Sequence, residues 1–205
     1  MIRYLTVLGA AAVLAAAGLG QGVGEAQRQG ASQLEPLPPA PRHLMFVAPD
    51  VAERMLQLAN VTRHDVVYDL GCGEGQLAIL AAKKYGARSV GVDNDPARIA
   101  EANANAEKEG VSNLVRFVQQ RTFDVSEATV VTMVAPQSVS WLTENGGLLQ
   151  PTLTRQLKAG ARIVTNFVAG SMKEWKPDRV DHFADPRGNA RAVLYLWKHD
   201  GTIRP

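Results

Sequence analysis

Apolar residues along this chain recur in two rhythms, and their succession outlines strands interleaved with helices. Between Pro49 and Asn60, Val51, Met55 and Leu58 or Ala59 return at helical spacing, which predicts an amphipathic helix. Val66–Leu70 is a short apolar run of the kind that a strand covered on both faces requires. Gln76–Tyr85 is rich in helix formers, with Leu77, Leu80 and Ala81 apolar and Gly86 as a C-terminal stop. Ser89–Asp93 predicts a second strand and Pro96–Glu109 a helix closed by Gly110, with Asp95 as its N-cap and Pro96 at its first position. Strands follow at Val115–Val118 and Thr129–Val134, then a helix over Leu148–Leu157 and a strand over Arg162–Phe167. Val180–Phe183 and Arg191–Trp197 predict a terminal antiparallel hairpin, turned by Asp185-Pro-Arg-Gly-Asn. Alternation of this kind specifies an α/β fold with a doubly wound sheet and a C-terminal hairpin.

The pattern breaks down before residue 43. Arg3 is followed by an Ala, Leu, Gly and Val run from Tyr4 to Gly20, and small residues at Gly24 and Ala26 suit a cleavage site before Gln27. Residues 1–26 therefore read as a signal peptide, with an uncleaved anchor formed by residues 4–20 as the alternative. Residues 27–42 carry Pro36, Pro38, Pro39 and Pro41 among Gln and Gly, the composition of an extended linker, and leave residues 43–205 as one domain. On this reading the domain is exported, periplasmic or secreted, and any membrane contact runs through the uncleaved N-terminal segment. With 46% hydrophobic and 20% charged residues overall, the chain has enough apolar surface for a core. The net charge of +2 is too small to argue for wrapping nucleic acid, so no nucleic-acid partner is expected. Cys72 is the sole cysteine and forms no internal disulfide, while His43, His64, His182 and His199 lack metal-ligand spacing, so no metal site is proposed.

The most informative stretch is Val66-Val-Tyr-Asp-Leu-Gly-Cys-Gly-Glu-Gly75, where a strand feeds a Gly-x-Gly-x-Gly turn with an acid at its entrance. Gly71, Gly73 and Gly75 permit positive φ and let backbone close over a ligand. Asp93 ends the next strand 24 positions after Asp69, near the ~20-residue offset at which a carboxylate grips ribose hydroxyls in nucleotide-binding βαβ units. The dinucleotide fingerprint also wants glycine at its sixth position, which here is Gln76, so a nicotinamide or flavin dinucleotide is the minority reading.

These residues resemble the class I S-adenosylmethionine-dependent methyltransferases, over roughly Phe46 to Trp197. Within that superfamily the chain is similar to small bacterial relatives of the mitochondrial lysine methyltransferases that modify the ATP synthase c-subunit and the adenine nucleotide translocase. The segments carrying the closer likeness are Asp65-Val-Val-Tyr-Asp-Leu-Gly-Cys-Gly, Ala82-Lys-Lys-Tyr-Gly-Ala-Arg, Val92-Asp-Asn-Asp-Pro and Ser126-Glu-Ala-Thr-Val-Val-Thr. The resemblance implies a Rossmann-like sheet and S-adenosylmethionine as cofactor. It places Asp69 near the methionine ammonium through the turn, Asp93 on both ribose hydroxyls and Asn94 beside the adenine. It also implies a protein lysine as the acceptor. Three departures accompany it. Relatives place Glu-Gly-Asp after the third strand, where this chain has Gln119-Gln120-Arg121, so either Asp124 takes that part or nothing does. A Pro-Thr-Pro segment becomes Ala48-Pro49-Asp50, and motif one ends Gly73-Glu-Gly-Gln rather than Gly-Asp-Gly-Arg.

Two functional expectations follow, a methyltransferase with unassigned catalytic residues and an inactive methyltransferase-like binding module in the periplasm. Export sharpens the contrast, because no S-adenosylmethionine pool is expected outside a bacterial cytoplasm. Phe46, Asp50, Met133–Gln137 and Asn166 are the candidates for lining the acceptor site, since they fall where strand ends converge in such folds. Val134-Ala-Pro-Gln lacks the Asn-Pro-Pro-aromatic sequence of enzymes that methylate base amino groups. Tyr195 and Trp197 alternate with Leu194 and Leu196 and read as sheet residues.

Overall fold

The structure, a computed structural model, describes residues 47–120, 123–134, 149–168, 172 and 175–203. The expected signal peptide and linker, Phe46, Arg121 and Ala135–Gln137 lie outside the described residues.

The elements run α1 (Pro49–Leu58), β1 (Val66–Leu70), α2 (Gln76–Tyr85), β2 (Arg88–Asp93), α3 (Pro96–Lys108), β3 (Val115–Gln119), β4 (Val130–Met133), α4 (Leu149–Gln156), β5 (Arg162–Thr165), β6 (Arg179–Ala184) and β7 (Ala190–Lys198). They build a seven-stranded sheet in the order β3-β2-β1-β4-β5-β7-β6. The first five strands are parallel, and β7 runs antiparallel to both β5 and β6. The chain winds outward from β1 to β3 and then returns to lay β4 on the other side of β1. The junction of β1 and β4 is therefore the switch point, outside whose carboxyl ends open α/β sheets bind ligands.

Strand alternation divides the core. Val66, Tyr68 and Leu70 face a layer with Met133, Ile163, Trp197, Leu153 of α4 and Leu157 just past its end. On the opposite face Val67, Val130 and Val164 pack with Met55 and Leu56 of α1 and Leu77 and Ala81 of α2. Ala78 and Ala82 of α2, Ala102 and Ala106 of α3, Cys72 and Phe117 form a third cluster beside it. The caps are those the sequence predicts. Asp95 accepts a hydrogen bond from the Ala97 amide at 2.9 Å, and Gly86 takes φ 67° past the end of α2.

Several boundaries shift by one or two residues for identifiable reasons. Thr129 stays outside β4 because its hydroxyl donates to Asp65 at 2.7 Å. β5 ends at Thr165 rather than Phe167, where the Phe167 amide donates back to the Thr165 hydroxyl at 3.3 Å and bends the chain. The hairpin is longer than predicted because Asp185 organises its turn, accepting from the amides of Arg187 and Asn189 at 2.9 Å each.

At the amino ends of the strands, Asp65 accepts from the Thr62 amide at 2.8 Å, from Thr129 and from the guanidinium of Arg162. Arg162 also donates to the Ala59 carbonyl at 2.7 Å, so this knot joins α1, β1, β4 and β5. Burial raises the Asp65 carboxyl, but the hydrogen bonds from Thr129 and Thr62 and the charge of Arg162 outweigh it and hold the group below the usual carboxylate range. The carboxyl ends are left free of this knot. No helix among the described residues is long and apolar enough to cross a membrane.

Candidate functional site

β1 opens into a turn whose backbone only glycine adopts without strain, with φ of 76° at Gly71, 53° at Gly73 and 82° at Gly75. The amides of Gly71 and Cys72 donate to the Val92 carbonyl at 2.8 and 3.1 Å, which ties the turn to the end of β2. Gly75 hands the chain to the amino end of α2, where backbone N–H groups point outward. A Cβ on Gly75 would lie 2.4 Å from Phe117 Cζ, and one on Gly91 would lie 2.5 Å from Phe117 Cδ1. Both glycines therefore make room for the Phe117 ring, which supports the turn from beneath. Gly73 differs, because nothing lies within 4 Å of the point its Cβ would occupy. That open side is the cradle.

Two buried carboxylates flank the turn. Asp93, 8% exposed, accepts from the Gly73 amide at 2.9 Å and from the Asp95 amide at 3.0 Å. One acid thus holds the middle of the glycine turn against the end of β2. An ionised carboxylate offers about four acceptor sites, so two more donors can still be received. Asp69, 3% exposed, stands opposite Thr132 across the β1–β4 switch point and accepts from the Thr132 hydroxyl at 2.9 Å. Burial raises its carboxyl to about 7, the Thr132 hydrogen bond opposes that rise, and the charge of Asp93 adds to it. Cys72, within the turn, is buried against the α2 cluster, and burial pushes its thiol up, which suits packing rather than nucleophilic chemistry.

Asp69, Gly71, Gly73, Gly75 and Asp93, singled out in the sequence, thus converge on one edge of the sheet. Asn94 follows Asp93 there, half-buried, with its carbonyl 3.5 Å from the Gln119 side-chain amide. The Gln120 amide donates to the Asp93 carbonyl at 2.9 Å, so the Gln119-Gln120 departure packs along the strand that carries the acid. Asp124 accepts from the Ser126 amide and lines a cavity of about 290 Å³ with Val92, Val118 and Gln120. A larger cavity, about 740 Å³, lies on the α2–α3 side and borders the turn at Glu74 and Gln76. Asp50 is drawn elsewhere, because the Arg191 guanidinium pairs with it at 2.9 Å on the surface and holds its carboxyl below the usual range. Met133 is sealed in the core at the end of β4, and Asn166 lies directly past the end of β5.

Three contributors escaped the sequence reading. Thr132 and Gly91 meet their partners only through strand pairing. The Arg98–Glu74 bond at 2.9 Å, with Asn105 donating to the Glu74 carbonyl, anchors the turn on α3. Thr132 did carry one signal, as a hydroxyl inside an otherwise apolar strand.

The comparisons with known proteins point one way on fold and chemistry. Residues 69–179 match the family described as the ANTKMT methyltransferase domain. The chain is 41% identical over 150 residues to a protein-lysine N-methyltransferase of Saccharolobus islandicus, covering 72% of this chain and 87% of that one. Among solved structures it is similar to an RNA methyltransferase from Salinibacter ruber in complex with S-adenosyl-L-homocysteine. That likeness has 38% identity and a TM-score of 0.65, and it covers 78% of this chain and 96% of the other. A geranyl diphosphate C-methyltransferase from Streptomyces coelicolor, 17% identical with a TM-score of 0.56, covers 73% of this chain and 78% of its own and shares the fold.

Proposed function

The chain belongs to the ANTKMT methyltransferase family, a class I S-adenosylmethionine-dependent group, and from that premise we propose that it methylates a lysine amine of a protein. The observation that carries the site is the convergence of Asp69, Asp93 and the open side of Gly73 at the switch point of the sheet. In this reading Asp93 receives both ribose hydroxyls and Asp69 the methionine ammonium. Gly71, Gly73 and Gly75 admit the cofactor against bare backbone, and Asn94 stands beside the adenine. A carboxylate suits each polar role, because hydrogen bonds to a charged acceptor are stronger than those to a neutral one. The fit to the group rests on geometry, namely a turn with no Cβ over Gly73 and a carboxylate with acceptor capacity left over.

When bound, S-adenosylmethionine supplies a methyl group already activated by its sulfonium. The protein's work is to hold donor and acceptor in line and to exclude water. Asp93 fixes the turn while accepting from the ligand, so cofactor position and turn conformation are set by one side chain. An acceptor lysine must be neutral to attack, which an apolar surround favours by penalising the ammonium.

The lysine reading draws support from the relative of that name at 41% identity. A second reading, RNA as acceptor, draws support from the Salinibacter neighbour at 38% identity. Incubation with methyl-labelled S-adenosylmethionine and separate protein and RNA fractions discriminates them. Label recovered as N-methyl-lysine after acid hydrolysis is the expected result, and ribonuclease-sensitive label would overturn it. The comparisons lend no support to an inactive binding module in the periplasm. Export itself is carried by the residue 1–26 pattern, and a mature protein beginning at Gln27, read by intact mass, is the expected outcome.

A further inference from the structure

Asp69 has no charge partner among the described residues, which is unusual for a carboxylate almost fully removed from water. Its hydrogen-bond donor among the described residues is the hydroxyl of Thr132, at 2.9 Å, and Thr132 is itself fully buried. The two residues are direct partners in the parallel β1–β4 ladder, one residue short of the carboxyl end of each strand. The same hydroxyl lies 3.4 Å from the Tyr68 carbonyl. A hydroxyl has one proton to give, so while it donates to Asp69 it is withheld from Tyr68. The rest of the strand is valine and methionine, so the hydroxyl is an exception inside a core strand rather than part of a polar face.

We propose that Thr132 is a positioning residue for cofactor capture, holding the Asp69 carboxylate at the switch point in the orientation that receives a cationic amine. This rests on the cofactor reading above, in which that amine is the ammonium of the methionine portion. The mechanism is electrostatic. A buried acid is neutral until something stabilises its ionised form, and a neutral acid attracts an ammonium poorly. Thr132 supplies part of that stabilisation before the ligand arrives, and the ligand supplies the rest. Among the described residues the charge of Asp93 disfavours ionisation of Asp69, while the neighbouring Cys72 thiol stays protonated and adds no charge. From the helices, α1 and α2 contribute the apolar side chains Met55, Leu56, Leu77 and Ala81 to this face. Asp93 is fixed by two backbone amides, which leaves the Thr132 hydroxyl as the adjustable element.

The test is calorimetric titration of S-adenosylhomocysteine between pH 5.5 and 9, on the wild type, Thr132→Ser and Thr132→Val. Wild-type affinity is expected to rise with pH through about 7, as Asp69 ionises with the Thr132 hydrogen bond in place. Thr132→Val is expected to move that midpoint upward by roughly one pH unit and to weaken binding about fivefold at pH 7, with the deficit relative to the wild type shrinking as pH rises. Thr132→Ser keeps the hydroxyl and should track the wild type. Should Thr132→Val fail to fold, Thr132→Ala reads the same midpoint. Folded Thr132→Val with an unmoved midpoint overturns the positioning role alone, as does Thr132→Ser behaving like Thr132→Val. A wild type that binds at no pH overturns the cofactor reading and this proposal with it.

Discussion

Asp69 is a carboxylate kept where a carboxylate is costly, and the cost has a measurable sign. Its folded value of about 7 lies above the ordinary 3.8, so the folded protein binds more protons than the unfolded chain between those values. That difference favours folding at low pH, fades as pH rises through the window, and is gone above about 7. Asp65 works in the opposite direction. Its carboxyl is held below the usual range, so its contribution is present above about 4 and is lost as pH falls through its folded value. Asp69→Asn should therefore raise the melting temperature of the unliganded protein at pH 8 and flatten its decline from pH 5 to 8, while removing the thermal shift caused by S-adenosylhomocysteine. A lower melting temperature at pH 8 would mean that the acid is structural. Asp69 and Asp93 were legible in the sequence because their spacing around three glycines is local. Thr132 was not, because its partnership depends on β4 lying beside β1, 63 residues away in the chain.

At the level of elements, the glycine turn is held by packing from β3 that its own sequence does not disclose. Phe117 fills the space that Gly75 and Gly91 leave, so these three positions form one steric unit. Gly75 also carries φ 82°, which adds backbone strain to any substitution there, whereas Gly91 reports the contact with Phe117 and Cys72 alone. Gly91→Ala should destabilise the protein by about 1–3 kcal/mol, as overpacking does. In a Phe117→Val background the same change should cost at least about 1 kcal/mol less, a coupling read from a double-mutant cycle in urea. Additive effects would show that Phe117 yields to the added methyl without strain. Helices and strands were largely legible because capping residues and apolar periodicity act within a few residues, as with Asp95, Pro96 and Gly86. Errors concentrated at Thr129 and at Phe167, where a side-chain hydroxyl ended or bent a strand that hydrophobicity alone would extend.

Across the whole molecule, the sheet is tied at one end and open at the other. Asp65 and Arg162 knot the amino ends of β1, β4 and β5 to α1, while the residues proposed to hold the cofactor occupy the carboxyl ends. Arg162→Met would strand a nearly buried carboxylate and should cost about 2–4 kcal/mol of stability, with the affinity for S-adenosylhomocysteine unchanged at a temperature where the variant is folded. A parallel loss of affinity would show that the two ends are coupled. The doubly wound class was legible from alternation of elements, but the order β3-β2-β1-β4-β5-β7-β6 was not, since pairing between distant strands leaves no local trace. On the proposed reading, Asp93 both braces the glycine turn and grips the cofactor. The most direct test of that reading is calorimetric titration of S-adenosylhomocysteine into the wild type and Asp93→Ala, with circular dichroism to confirm the fold. Micromolar binding by the wild type, weakened roughly thirtyfold to a thousandfold by a loss of about 2–4 kcal/mol in the variant, is the expected result. A folded Asp93→Ala protein that binds as tightly as the wild type would contradict it.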